Sequence, residues 1–171
     1  IVDLSFLALL AAAATREIVA GRNWRNLKVI LVVALMLAGN VVFHVEAARE
    51  GFADGGLRLG IAATIFLITL VGGRVVPSFT RNWLARENPG RLPSPFGKLD
   101  RAALVASGLA LLLWTAAPVG ATTGVLLIVA GGLQTIRLMR WAGHRTWRDR
   151  LVLVLHLAYA FIPLGFFLAA T

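Results

Sequence analysis

The sequence predicts an all-α, polytopic transmembrane helix bundle of about six spans. Three observations predict it. The chain is 58% hydrophobic with a mean hydropathy of +0.80, which excludes an ordinary soluble domain. Its uncharged apolar stretches cover residues 4–15, 29–45, 59–73, 102–136 and 151–171, and roughly 20 mostly apolar helical residues cross a hydrocarbon core. Fifteen of the 17 Lys and Arg residues can be placed on one side of a membrane.

The elements follow in order. Span one (1–20) is rich in Ala and Leu and ends at the basic turn Gly21-Arg22-Asn23-Trp24-Arg25-Asn26. Span two (27–48) continues as helix to about Glu50, where Gly51 and then Gly55-Gly56 break it, because glycine is costly inside a helix. Span three (57–78) is followed by the longest connection, 81–98, in which Pro89-Gly90, Pro93 and Pro95 prevent regular structure. The stretch 102–136 is too long for one crossing and breaks at Ala117-Pro118-Val119-Gly120, giving a hairpin of spans 100–117 and 119–140. A basic connection, 137–150, leads to span six (150–170), where Pro163 predicts a kink. The whole reads as a single transmembrane bundle. Close helix contacts are expected at Ala11 to Ala14, Gly72-Gly73 and Gly131-Gly132, since small residues favour packing in lipid.

Charge sets the orientation. The first, third and fifth connections carry the fifteen cations with only Glu17, Glu87, Asp100 and Asp149; the opposite side has Arg49 and Arg58 with four acids. Basic connections stay cytoplasmic, so both ends are expected to face outward, on the periplasmic side. Trp24, Trp83, Trp141 and Trp147 lie in or beside the basic connections, as interfacial anchors should, and Trp114 marks the other interface. This topology accounts for the net charge of +9 without a nucleic-acid partner. The bilayer itself, with anionic inner-leaflet lipids at the basic loops, is the expected partner. The absence of cysteine removes disulfides, thiolate metal sites and thiol redox chemistry. The first residue is Ile, with no initiator Met or basic signal region, so the chain reads as a piece of a longer polypeptide.

Polar residues inside the membrane are the functional candidates. Met36, Asn40 and His44 are spaced four apart on one stripe of span two. His44 lies about 24 Å across from Lys28, near the outer interface. It is either an interfacial histidine bonded to a neighbour, with Asn40 joining helices, or a contact to a ligand or substrate. His156 lies about 9 Å from Arg150 on the inner half and shares a face with Tyr159 and Pro163. It is either a core histidine donating to a backbone carbonyl or a ligand or proton-handling group. The two histidines differ by roughly 15 Å in depth and are not expected to share one ion. Arg74, after Gly72-Gly73, either snorkels to headgroups or binds a buried carboxylate. His144 falls in a loop. There is no HExxH, no glycine-rich phosphate loop and no paired intramembrane carboxylate, so a relay of buried acids is not expected.

Three segments stand out: Gly72-Gly73-Arg74-Val75-Val76-Pro77-Ser78-Phe79-Thr80-Arg81-Asn82-Trp83-Leu84, then Arg22-Asn23-Trp24-Arg25-Asn26 with the later Val42-Phe43-His44-Val45-Glu46, and Leu153-Val154-Leu155-His156-Leu157-Ala158-Tyr159. Together they resemble the NnrS family of nitric-oxide-responsive bacterial membrane proteins. The resemblance implies an inner-membrane protein containing haem and copper and linked to nitrosative stress and denitrification; it assigns no catalytic residue. His156 and His44 are then the candidate haem or metal ligands and Arg74 the candidate partner of a haem propionate. The family's early His-Glu-Met and later His-Ala-Leu segments have no counterpart here, so missing helices of the same polypeptide are expected partners. Two other readings stand beside it: a metal-free small-solute transporter or channel with Asn40, Arg74 and Tyr159 along its path, and a membrane regulator or scaffold.

Overall fold

The computed structural model describes residues 2–171, the side chain of residue 25 excepted. Ile1, the expected start of span one, and the Arg25 side chain, counted with the first basic connection, lie outside the described residues. Among those residues there are six α-helices and no strand: α1 (Val2–Ala20), α2 (Leu27–Glu50), α3 (Asp54–Glu87), α4 (Lys98–Ala116), α5 (Ala121–Met139) and α6 (Arg150–Ala169). The chain is an all-helical protein of the class its apolar runs indicate.

Local chemistry sets the helix ends. α2 stops at Gly51, whose left-handed backbone (φ 77°) lets its N–H reach the Ala47 carbonyl at 3.3 Å; only glycine adopts this cheaply. The α4–α5 turn is closed by the Thr123 hydroxyl donating to the Ala117 carbonyl at 2.7 Å. α6 opens with Asp149, whose Oδ1 accepts the Val152 N–H at 2.9 Å, the usual role of an N-cap carboxylate.

Five helices, α2 to α6, are long and apolar enough to cross a membrane. α1 is not among them, because Asp3, Arg16 and Glu17 all fall within its 19 residues. α3 continues through Pro77 to Glu87, so the expected connection 81–98 contracts to 88–97. The continuation is driven by packing: Val76, Thr80 and Leu84, spaced four apart, form one buried stripe. At 34 residues the helix is about 51 Å long, more than the hydrocarbon core requires.

The chain packs as two compact units, residues 1–67 and 68–171, with the boundary inside α3. In the first unit α2 and the start of α3 approach at glycines. A Cβ on Gly39 would lie 2.8 Å from the Gly60 nitrogen, and one on Gly56 would lie 2.2 Å from the Phe43 nitrogen. Glu46 accepts the Gly56 N–H at 2.9 Å, placing a carboxylate where the helix dipole favours negative charge.

In the second unit, α4 packs on α5 and α5 on α6, and Arg137, His156 and Tyr159 reach the later half of α3. Trp141, expected as an interfacial anchor, is instead buried with Val76 and Tyr159; its ring meets Tyr159 edge-on at 4.7 Å. Gly131, one of the expected close contacts, faces the Phe167 ring, whereas Gly132 faces open space. The connections 88–97 and 140–149 are tied side by side. Arg145 donates to the carbonyls of Asn88 (2.9 Å), Pro89 (3.0 Å) and Arg91, and Asn88 returns a bond from Nδ2 to the Arg145 carbonyl at 3.2 Å. Ser94 N–H reaches the Arg140 carbonyl at 3.1 Å. The two basic connections therefore share one end of this unit.

The glycine contact is asymmetric, and this gives a test. A Cβ at Gly39 meets backbone, but one at Gly60 meets nothing within 4 Å. Gly39→Ala should lower the thermal midpoint of the purified protein, because backbone cannot yield as a flexible side chain can. Gly60→Ala should leave it unchanged or raise it, since alanine favours helix by about 1 kcal/mol. Equal effects would show that the α2–α3 approach is not as described.

Candidate functional site

The most concentrated polar chemistry is a buried cluster in the second unit, and its centre is Arg137. Sequence reasoning counted Arg137 and Asp100 with the basic connections. Both instead lie in helices, α5 and α4, with side chains 1% and 6% exposed. Arg137 Nε donates to Asp100 Oδ1 at 3.0 Å, a buried ion pair that the sequence did not single out. The other carboxylate oxygen accepts the Gly97 N–H at 2.9 Å and a longer bond from half-buried Arg140 at 3.4 Å. Asp100 thus both caps α4 and neutralises a buried cation.

The rest of the guanidinium is equally confined. Its NH1 donates to the Tyr159 hydroxyl at 3.1 Å and approaches the Thr69 carbonyl at 3.4 Å and Gln134 Oε1 at 3.5 Å. Its carbon sits 5.4 Å from the centre of the Trp141 ring, in range for a cation–π contact. Gly73 forms the opposing wall: an added Cβ would lie 2.1 Å from Arg137 NH2. The Tyr159 hydroxyl also bonds Gln134 Oε1 at 3.0 Å, and Gln134 Nε2 donates to Ser107 Oγ at 2.9 Å. Residues from α3, α4, α5 and α6 thus meet at one network. The Gly72-Gly73 pair has a definite use: Gly72 admits the Tyr159 ring and Gly73 admits Arg137.

His156 lies on α6 near this network, buried. Its Nδ1 donates to the Val152 carbonyl at 3.0 Å, and its Nε2 faces Thr80 Oγ1 at 3.3 Å. A carbonyl can only accept, which fixes the Nδ1–H tautomer in the neutral ring. Gly143 closes over the ring, since a Cβ there would lie 2.4 Å from Cδ2. Arg74, one residue from Gly73, is exposed. The structure brings Arg137 to the Asp100 carboxylate. The one sequence signal for this was that Leu138 and Met139 continue the apolar run beyond Arg137.

In the first unit, Asn40 Nδ2 (3.0 Å) and His44 Nε2 (2.9 Å) both bond the same oxygen, Asp3 Oδ2. This cluster is half exposed. Asp3 and Asn40 border an open groove of about 450 Å³, walled by Leu7, Met36, Phe43 and Ile61. Of the residues named for a solute path, Asn40 belongs to this groove and Tyr159 to the closed network of the second unit. Asp3 was not singled out from the sequence, because the end of an apolar run reads as interface.

The fit to haem or copper is limited. Among the described residues no three His, Asp or Glu side chains converge on a point. His156 keeps Nε2 as an acceptor facing Thr80 Oγ1, inside packed surroundings closed by Gly143. His44 fits as a single ligand, since a carboxylate on one ring nitrogen is the arrangement that orients a metal-bound imidazole.

Breaking the buried pair should be costly. Arg137→Met or Asp100→Asn leaves one member uncompensated, for which about 3–5 kcal/mol is typical. Arg137→Lys should rescue only partly, since an ammonium cannot span Asp100 and Tyr159 with a planar fork. Denaturation of the single and double variants should give a coupling of roughly 1–3 kcal/mol; additivity would show that the pair carries no interaction.

No curated protein and no solved structure matches the chain. A family model, described as NnrS protein, matches residues 1–171. With its glycine pair, its Arg22–Asn26 turn and its His156–Tyr159 segment all within that match, the chain belongs to the NnrS family.

Proposed function

We propose that this chain acts in a bacterial inner-membrane protein of the response to nitric oxide and nitrosative stress, within denitrification physiology, and that the protein contains haem and copper. Family membership over the whole chain carries this reading. The residues present support a divided role. The second unit is a scaffold whose polar groups satisfy one another. The first unit offers His44, oriented by Asp3, to a metal centre completed by ligands from elsewhere in the polypeptide. Haem iron or copper would supply the binding of nitric oxide; the chain's own part is to aim the imidazole and to hold the carboxylate charge beside it.

The test is the absorption spectrum and metal content of the purified full-length protein. A Soret band that weakens or shifts in His44→Ala, and persists in His156→Ala, is expected. A protein free of haem and copper, or one whose spectrum ignores His44, would overturn the assignment. Protein stability should respond in the opposite order, since His156 is packed and His44 half exposed.

The orientation is also a proposal, supported by the fifteen cations in three connections. With no native cysteine, single cysteines at exposed Asn23, Lys98 and Trp147 should label from the cytoplasmic side and one at Phe52 from the other. Labelling of Lys98 and Phe52 from the same side would refute it.

A further inference from the structure

Where α3 ends and the segment entering α6 begins, Trp83, Arg86, Glu87, Arg148 and Asp149 line a cavity of about 450 Å³. That volume lies within the range of small-ligand sites. Its lining holds two guanidinium groups and two carboxylates, so it is charge-balanced. Neither Arg86 nor Arg148 makes an ion pair among the described residues, and neither does Glu87. Arg86 spends only Nε, on the Asn82 carbonyl of its own helix at 3.3 Å, and Asp149 is anchored as the α6 N-cap. Opposite charges that face one cavity without pairing are placed to meet a ligand that carries both.

The cavity is also held in shape. Residues Asn88 and Arg145, adjoining its two sides in sequence, are joined by the reciprocal bonds described above. Trp83 forms a wall and Trp147, 73% exposed, stands beside Arg148. Tryptophan at such a position marks the headgroup level of a bilayer. A phosphate fits a pair of guanidinium forks, and an ammonium bearing N–H donors fits a carboxylate.

We propose that this cavity binds the headgroup of a phosphoethanolamine lipid, with its phosphate on Arg86 and Arg148 and its ammonium on Glu87. The site is independent of any metal centre and does not rest on the nitric-oxide reading. It differs from general attraction of basic loops to anionic lipid, which would favour net negative headgroups.

Native mass spectrometry of the purified full-length protein can decide. The probes are equal amounts of phosphatidylethanolamine, phosphatidylglycerol and phosphatidylcholine. Phosphatidylethanolamine should be retained in preference to both, since choline lacks N–H donors and glycerol lacks the cation. Arg86→Gln with Arg148→Gln should reduce retained phosphatidylethanolamine about fivefold, as expected for loss of exposed charge contacts. Glu87→Gln should abolish the preference over phosphatidylglycerol while keeping phospholipid bound. Lys98→Gln with Arg101→Gln, which remove exposed cations away from the cavity, should change nothing. These residues are exposed, so each variant should fold; a lipid-dependent rise in thermal midpoint gives a second readout. Preferential retention of phosphatidylglycerol, equal loss in the Lys98/Arg101 control, or displacement of the lipid by excess inorganic phosphate would overturn the proposal.

Discussion

A cation buried among helices must be neutralised where it stands, and the bond from Arg137 to Asp100 meets that constraint for residues 68–171. An ionised arginine away from water is costly by several kcal/mol unless charge and hydrogen bonds replace its hydration. Asp100 supplies the charge, Tyr159 and Gln134 supply acceptors, and Trp141 supplies a ring face. The acceptors come from three helices beyond Arg137's own or from its own turn, so the guanidinium has one position in which it is satisfied. Gly72 and Gly73 follow from that position, because any side chain at Gly73 would occupy the guanidinium's place. In lipid, where apolar burial gives little net drive between helices, a network of this kind specifies which faces meet.

The fold was largely legible because membrane helices announce themselves by length and composition. The apolar runs locate the helices, Gly51 marks the end of α2 and the break at 117–120 marks the hairpin. The first apolar run, residues 4–15, folds as α1, which also carries Asp3, Arg16 and Glu17, so five of the six helices meet the length and apolarity of a crossing. One helix end was misread. α3 was ended near Pro77, although the buried stripe of Val76, Thr80 and Leu84 carries the helix on to Glu87.

The site was less legible because charge was read as a boundary. Asp100 and Arg137 each sit at the edge of an apolar run, 37 residues apart, and nothing local distinguishes a buried edge charge from a solvated one. Their pairing is a property of how α4 and α5 pack, which no spacing within either helix encodes. The alternatives drawn for His156 resolved differently. A histidine four residues after Val152 can bond that carbonyl within its own helix, and it does so at 3.0 Å. Arg74 was singled out for standing beside Gly73, but one helical step turns a side chain by about 100°, from the buried face to the exposed one.

The two units differ in how their polar groups are spent. In residues 68–171 the buried donors and acceptors are committed to one another, which leaves them unsuited to a ligand without breaking the network. In residues 1–67 Asn40 and His44 converge on one half-exposed oxygen of Asp3 beside an open groove. Such groups can exchange partners at small cost, because water is an available substitute. The polar groups able to change partners thus lie in residues 1–67, and the committed ones in residues 68–171. The conspicuous glycine–glycine–arginine run belongs to the rigid part: its glycines accommodate Tyr159 and Arg137, and its arginine faces outward.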